Sequence, residues 1–320
     1  MSITVEDVQQ ARKRISGIAV QTPLKPAYTL SEKTGRKIWL KMEIMQPTGA
    51  FKIRGAANAI QALGEEQRRK GVISMSTGNH GKAIAYVCRQ LGMRGVICIS
   101  EQVPKVKIEG MKKLGAEVIV TGKDQDEADV GAREMAVKEG LHFISAFDDP
   151  YVIAGQGTMA LEILEQQPQL DTLIVPLSGG GLMAGIGTVI KTLRPEIQLI
   201  GVTMEQGAAM HLSIEAGKLV DVEEVPSWAD ALTGGIPKDN QYSFPLCAQY
   251  VDQSFLVSEA AIAKAMVYAL QQERIVLEGG AATSIALLEE KLNHIPGENI
   301  ALICSGDNVD MAKLLHLAAS

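Results

Sequence analysis

The sequence predicts an α/β protein of two lobes built from parallel sheets flanked by helices, and three observations predict it. The chain has 320 residues, which is long for one hydrophobic core. From residue 72, strand-like and helix-like stretches alternate, and a second strand and helix series opens at residue 172. Strands separated by helices of about 10 to 15 residues pair in parallel through right-handed crossovers.

In chain order, residues 5–18 carry apolar positions at helical spacing with Arg12, Lys13 and Arg14 between them, and Thr22-Pro23-Leu24 breaks the pattern. Residues 37–42 alternate as a strand does and deliver the chain to Gln46-Pro47-Thr48-Gly49. Residues 72–76 read as a strand, 80–91 as a helix, 94–100 as a strand and 104–114 as a helix; 117–120, 127–139 and 141–144 continue as strand, helix and strand. These strands make one compact lobe. After the turn-like Phe147-Asp148-Asp149-Pro150, residues 151–166 form a long amphipathic segment. The second series has a strand at 172–177, a helix to about 193, a strand at 198–203, helices at 259–272 and 280–292, a strand at 300–304 and a helix from about 308. The first 45 or so residues are expected to pack with this second lobe.

A hydrophobic content of 46% with 21% charged residues describes a soluble globular chain. The net charge of -6 and pI near 5.5 argue against a nucleic-acid partner, which would need clustered Lys and Arg, so an acidic ligand must be met locally. Cys88, Cys98, Cys247 and Cys304 form no C-x-x-C pair and so write neither a zinc site nor a redox motif. Cys88, Cys98 and Cys304 lie in apolar runs and read as small buried hydrophobes of a reducing compartment. There is no secretory leader pattern and no run of 18 apolar residues, so a cytoplasmic protein without a membrane partner is expected.

The stretch Gly49-Ala50-Phe51-Lys52-Ile53-Arg54-Gly55-Ala56 places a lysine between an aromatic and an aliphatic residue. Desolvation disfavours an ammonium, and a neutral amine attacks aldehydes, so Lys52 reads as the anchor of pyridoxal 5'-phosphate; the alternative is a helix-start lysine with a packed stem and a solvated head. Ser178-Gly179-Gly180-Gly181-Leu182 lies between a strand and a helix, where converging backbone N–H groups favour a phosphate. A ligand-free turn is one alternative there. Another is a dinucleotide site, because Gly179-x-Gly181-x-x-Ala184 followed by Glu205 fits that fingerprint and a nicotinamide-dependent oxidoreductase.

Ser76-Thr77-Gly78-Asn79-His80-Gly81 closes a strand and opens a helix. Its hydroxyls and N–H groups suit a carboxylate, and Asn79 can donate to a phenolic oxygen, although an ordinary N-cap explains the same residues. His80 has no acid partner or second ligand near it in sequence and reads as structural. Ser305, after the last strand, could meet a ring nitrogen or cap the final helix.

Together these four motifs, in this order and spacing, resemble the fold-type II pyridoxal-phosphate enzymes of the threonine dehydratase and serine racemase group, which share a two-domain, tryptophan synthase beta-like fold, and the resemblance spans nearly the whole chain. It implies that Lys52 is the Schiff-base lysine with Phe51 packing near the ring, and that Asn79 faces the phenolic oxygen. Ser178, Gly179, Gly180, Gly181 and Leu182 would cradle the phosphate and Ser305 would meet the pyridine nitrogen. Ser76, Thr77, Gly78, Asn79 and His80 would grip the substrate carboxylate. The implied large domain is residues 1–50 with 146–320, the small domain 51–145, and the active site lies in the cleft between them. By the same analogy the protein is a homodimer.

Three departures matter. Ser178 stands where the family often has glycine, and its hydroxyl can still donate to phosphate. Thr77 replaces the serine that racemases use as acid/base on the second face, keeping the hydroxyl as a catalytic candidate while counting against racemisation. Glu205 lacks the second acid that would complete a divalent-cation site, so no metal is expected. The chain ends too soon for the regulatory domain of biosynthetic threonine dehydratases, which implies no end-product control. Phe147-Asp148-Asp149-Pro150, residues 204–211 and residues 234–244 are most similar to the hydroxyectoine-utilisation dehydratase branch.

The resemblance implies β-elimination. A neutral Ser305 leaves the pyridine unprotonated and a carbanion poorly stabilised, which rapid loss of a β-hydroxyl relieves. Lys52, displaced by substrate, would take the Cα proton, the hydroxyl would leave with acid help from the cofactor phosphate, and hydrolysis would give a 2-oxo acid and ammonia. The expected substrate is a small β-hydroxy amino acid. A racemase of the same fold and a cofactor-homeostasis or amino-acid-sensing protein are the other readings.

Overall fold

The computed structural model describes residues 2–101, 103 and 105–319, the side chains of residues 105–107 and 126 excepted. Two sheets organise it. The strands are β1 (Leu24–Pro26), β2 (Lys37–Lys41), β3 (Val72–Met75), β4 (Gly95–Ile99), β5 (Glu117–Val120), β6 (His142–Phe143), β7 (Thr172–Pro176), β8 (Gln198–Met204), β9 (Gln253–Val257) and β10 (Asn299–Ile303). One sheet has the order β5-β4-β3-β6, all parallel. The other has the order β1-β2-β10-β7-β8-β9 and is parallel except for β1, which runs antiparallel to β2.

The sheets are covered on both faces, as their apolar strands require. Ile38, Leu40, Ile174, Ile300 and Leu302 bury against Leu277, Ala282 and Ile285 on one side of the larger sheet. Leu173, Val175, Ala301 and Ile303 face Met183, Ile186 and Met159 on the other. Successive residues thus enter opposite cores, as the two-residue period of a strand dictates. In the smaller sheet Val72, Ile97 and Ile99 pack with Ile53, Ala56 and Ile84, while Ile73, Val96 and Cys98 pack with Ala132 and Ala136.

The topology places two loops at switch points. β3 lies between β4 and β6, and β7 lies between β8 and β10, so the chain leaves each in opposite directions on its two sides. A crevice opens beyond the carboxyl end of such a strand. Residues 76–78 follow β3 and residues 177–180 follow β7.

Most sequence-based elements appear within a residue or two of expectation, and the first 45 residues join the larger sheet through β1 and β2 as expected. β1, β9 and the helices Tyr28–Thr34, Glu65–Lys70, Ala209–Ala216 and Ser243–Tyr250 have no counterpart in the sequence reading, which holds the helix Lys52–Ala62 only as the alternative account of Lys52. The helix expected over 259–272 changes at Ala269 into a π-helical turn ending at Arg274, whose φ is 57°. The expected helix start at Pro104 lies outside the described residues. The last helix begins at Met311 rather than near 308, because the Asn308 side chain is engaged elsewhere and Asp310 accepts from the Ala312 N–H at 2.9 Å.

A buried ionic cluster fixes the helix Lys52–Ala62 to the larger sheet. Arg54, 1% exposed, donates from Nε and Nη2 to the two Glu43 oxygens at 2.8 Å each, and from Nη1 and Nη2 to Glu162 at 2.6 and 2.8 Å. Lys41 donates to Glu162 and to the Thr22 carbonyl, both at 2.6 Å. Two cations balance two carboxylates, and the neighbouring charges hold Glu43 ionised against a large desolvation penalty.

Candidate active site

The approach to Lys52 is stitched to the segment after β10. Phe51 N–H donates to the Ser305 carbonyl at 3.0 Å, Asp307 N–H donates to the Gly49 carbonyl at 2.9 Å, and Ala50 bridges Gly306. Lys52 then opens its helix half-buried, with Nζ donating to the Ala146 carbonyl at 2.8 Å and standing 5.4 Å from the centre of the Phe51 ring. Desolvation lowers its pKa to about 8, against a smaller opposing pull from Glu278. Lys52 does open a helix, as the alternative reading has it, while its head meets a carbonyl in a desolvated setting. A larger neutral fraction near neutral pH is what a nucleophilic or basic lysine needs.

The glycine loop meets the same turn. A Cβ on Gly181 would stand 2.6 Å from the Phe147 carbonyl oxygen, and one on Gly179 would strike the Phe147 ring, so both positions admit only glycine without displacement. Gly180, with φ 87°, caps the helix Gly181–Leu193 and would meet Met210 Cε at 2.6 Å if it carried a side chain. Ala146 and Phe147 therefore touch the Lys52 amine on one side and the glycine loop on the other. The first N–H groups of that helix have no partner within it, which suits an anion. Ser178 is half-buried and Leu182 is buried in the core behind the loop.

At the end of β3, the Ser76 hydroxyl accepts from the N–H groups of Gly81 at 2.9 Å and Gly78 at 3.3 Å. It serves the turn itself, while the helix that follows is capped by Gly78. Thr77 and Gly78 are half-buried before the helix Asn79–Leu91. His80 is buried, with Nε2 3.4 Å from the Ile144 carbonyl and Nδ1 without a partner among the described residues. Burial first and the nearby Lys52 second push its pKa down to about 3, which keeps the imidazole neutral. Ser305 is buried, and the final helix starts six residues later, so it is not that helix's cap.

Glu278 is the residue that sequence reading missed. It precedes the helix Gly279–Lys291, is 4% exposed, and accepts from Asn79 Nδ2 at 2.8 Å. Burial, with Asp230 and Asp307 adding repulsion, raises its pKa to about 7 from an ordinary 4.5. Its sequence signal was an acid directly before Gly279-Gly280 in an apolar stretch. Between pH 4.5 and 7 the folded chain binds the extra proton, so this cost to stability is absent below the window, grows through it and is complete above it. Glu278→Gln should therefore stabilise the cofactor-free chain by about 2 kcal/mol more at neutral-to-alkaline pH than near pH 5, measured by urea unfolding. Equal effects at both pH values would contradict it.

Glu205, the acid of the dinucleotide fingerprint, is exposed. Among the described residues no cluster of three His, Cys, Asp or Glu is arranged to hold a metal, and no helix is long and apolar enough to cross a membrane. All four cysteines are free and buried, and burial pushes their thiols up, Cys304 to about 12.

Comparison with known proteins gives one consistent answer. The family described as pyridoxal-phosphate dependent enzyme matches residues 15–306. The L-threonine ammonia-lyase of Thermotoga maritima is 39% identical over 97% of this chain and 76% of its own length. The catabolic L-threonine dehydratase of Escherichia coli K12 is 35% identical over 99% of this chain and 96% of its own. The structure of maize serine racemase superposes with a TM-score of 0.93 at 30% identity, covering 99% of this chain and 97% of that one.

Proposed function

Because the chain belongs to the pyridoxal-phosphate-dependent enzyme family, we propose that it is an ammonia-lyase that eliminates the β-hydroxyl of a small L-amino acid such as threonine or serine, giving a 2-oxo acid and ammonia. The observation that carries this reading is the convergence of the Lys52 amine and the glycine loop on Ala146 and Phe147. The residues fit the cofactor: the glycine loop offers a side-chain-free cradle at a helix start, Lys52 is desolvated, and Ser305 is buried without being a helix cap.

Residues 178–182 would hold the phosphate, Asn79 the phenolic oxygen and Ser305 the ring nitrogen, with Phe51 beside the ring. When bound, the cofactor supplies the electron sink for the bond broken at Cα. Lys52 Nζ, poised near pH 8, takes the Cα proton. Residues 76–80 would hold the substrate carboxylate, and the Thr77 hydroxyl is the acid/base candidate on the other face. Neutral His80 behind them adds no charge to compete with Lys52.

The same proposal carries a division into residues 51–145 and residues 1–50 with 146–320, the site between them, in a cytoplasmic homodimer. The free, buried cysteines support a reducing compartment. Within the substrate class, the branch-like stretches at 147–150, 204–211 and 234–244 favour a 3-hydroxy amino acid derived from hydroxyectoine.

The test is ammonia and 2-oxo acid release from a panel of threonine, serine, 3-hydroxyaspartate, phenylserine and a hydroxylated diaminobutyrate, with chiral analysis of recovered substrate. Equal yields of both products from at least one member are expected, and the preferred member sets the finer assignment. Cofactor binding without turnover would favour a sensing protein, inversion without ammonia a racemase, and a colourless protein that binds NAD an oxidoreductase.

A further inference from the structure

The hydrogen bonds around Asn79 extend to two residues to which the reaction assigns nothing. Asn308 Nδ2 donates to the Thr48 carbonyl at 3.0 Å and to Asn79 Oδ1 at 2.7 Å, while Asn308 Oδ1 accepts from Lys82 Nζ at 2.7 Å. A carbonyl only accepts and an ammonium only donates, so each end of the Asn308 amide has one permitted direction. With N–H fixed toward Asn79, that residue must turn its oxygen to Asn308 and its own NH2 toward Glu278, to which it donates at 2.8 Å.

Packing reinforces the arrangement. Gly49 has φ 70°, and a Cβ there would strike the Asp307 carboxylate and lie 3.5 Å from Asn308 Nδ2, so glycine lets the 48–49 turn close on this loop. Lys82 stands three residues after Asn79 on one face of their helix and reaches the same amide.

We propose that Asn308, held between the Thr48 carbonyl and the Lys82 ammonium, is a positioning residue that fixes which end of the Asn79 amide faces the cofactor. The proposal deepens the functional reading above and rests on Asn79 meeting the phenolic oxygen. An N–H donor stabilises the ionised form of that oxygen, whereas an amide oxygen in its place would oppose it. The other groups around the amide are Glu278, with Asp230 and Asp307 acting on it, and Lys52, which Glu278 influences in turn.

Asn308→Asp tests this. It keeps the partner for Lys82 but replaces the donor toward Asn79 by an acceptor, so the Asn79 amide must turn over. At saturating cofactor and neutral pH, the ratio of long-wavelength to short-wavelength absorption of the bound cofactor should fall about tenfold, the size of one charge-assisted hydrogen bond. Lys82→Met removes one of the two cues and should lower the ratio by a smaller factor. Melting of the cofactor-free variants identifies which are folded. A folded variant of either kind with the wild-type ratio overturns the proposal, since a purely structural role would change melting without changing the spectrum. Wild-type protein with no cofactor band at all would overturn the functional reading instead.

Discussion

Lys52→Ala is expected to lower ammonia release by on the order of 10⁴-fold, the upper end of what a positioned proton-transfer group contributes. The amine is placed for that role by its neighbours. Backbone bonds from Phe51 to Ser305 and from Asp307 to Gly49 fix the start of its helix, and the Ala146 carbonyl accepts a hydrogen bond from it. The fold should survive. Alanine suits the first turn of a helix, and the substitution removes an ammonium whose burial is unfavourable, as its pKa near 8 records. Turnover above a tenth of wild type in the folded variant would contradict the assignment.

Arg54→Ala should destabilise the chain by about 3 to 5 kcal/mol, as expected when one member of a buried ion cluster is removed. Glu43 and Glu162 would be left with Lys41 as the one remaining cation of the cluster, in a site where Arg54 and Glu43 are at most 1% exposed. That is a large share of a typical folding stability of about 5 to 15 kcal/mol. Lysine should not restore it, because one ammonium cannot reproduce the paired contacts of the guanidinium with both carboxylates. Urea unfolding checks both variants, and an unchanged midpoint for Arg54→Ala would show that the cluster contributes nothing to stability.

The sequence was most legible where chemistry and backbone demand coincide. The glycines at 179–181 announced a helix start open to an anion, and the structure shows why larger residues are refused there: Phe147 leaves no room at 179 and 181, and Met210 with Cys247 leaves none at 180. The alternation of strands and helices gave the parallel series β3 to β6 and the step from β7 to β8, where a single helix joins each strand to the next. What stayed hidden depends on contacts between distant residues. Glu278 carries no local motif, and its unusual carboxyl follows from burial beside Asn79, Asp230 and Asp307, from three other parts of the chain. The same holds for Lys41, Glu43 and Glu162, ordinary charged residues in sequence that become a buried cluster because Arg54 reaches both carboxylates and Lys41 reaches Glu162. β9 reads poorly because only Val257 of its five residues is fully buried.

The measurement that bears most directly on the account is chemical capture of the cofactor on the protein. Purified wild type, treated with borohydride and digested, should carry the added pyridoxyl phosphate mass on the peptide containing Lys52 and on no other. A label on a different lysine, or none on a protein that still releases ammonia, would contradict the claim that the amine beside the glycine loop carries the chemistry.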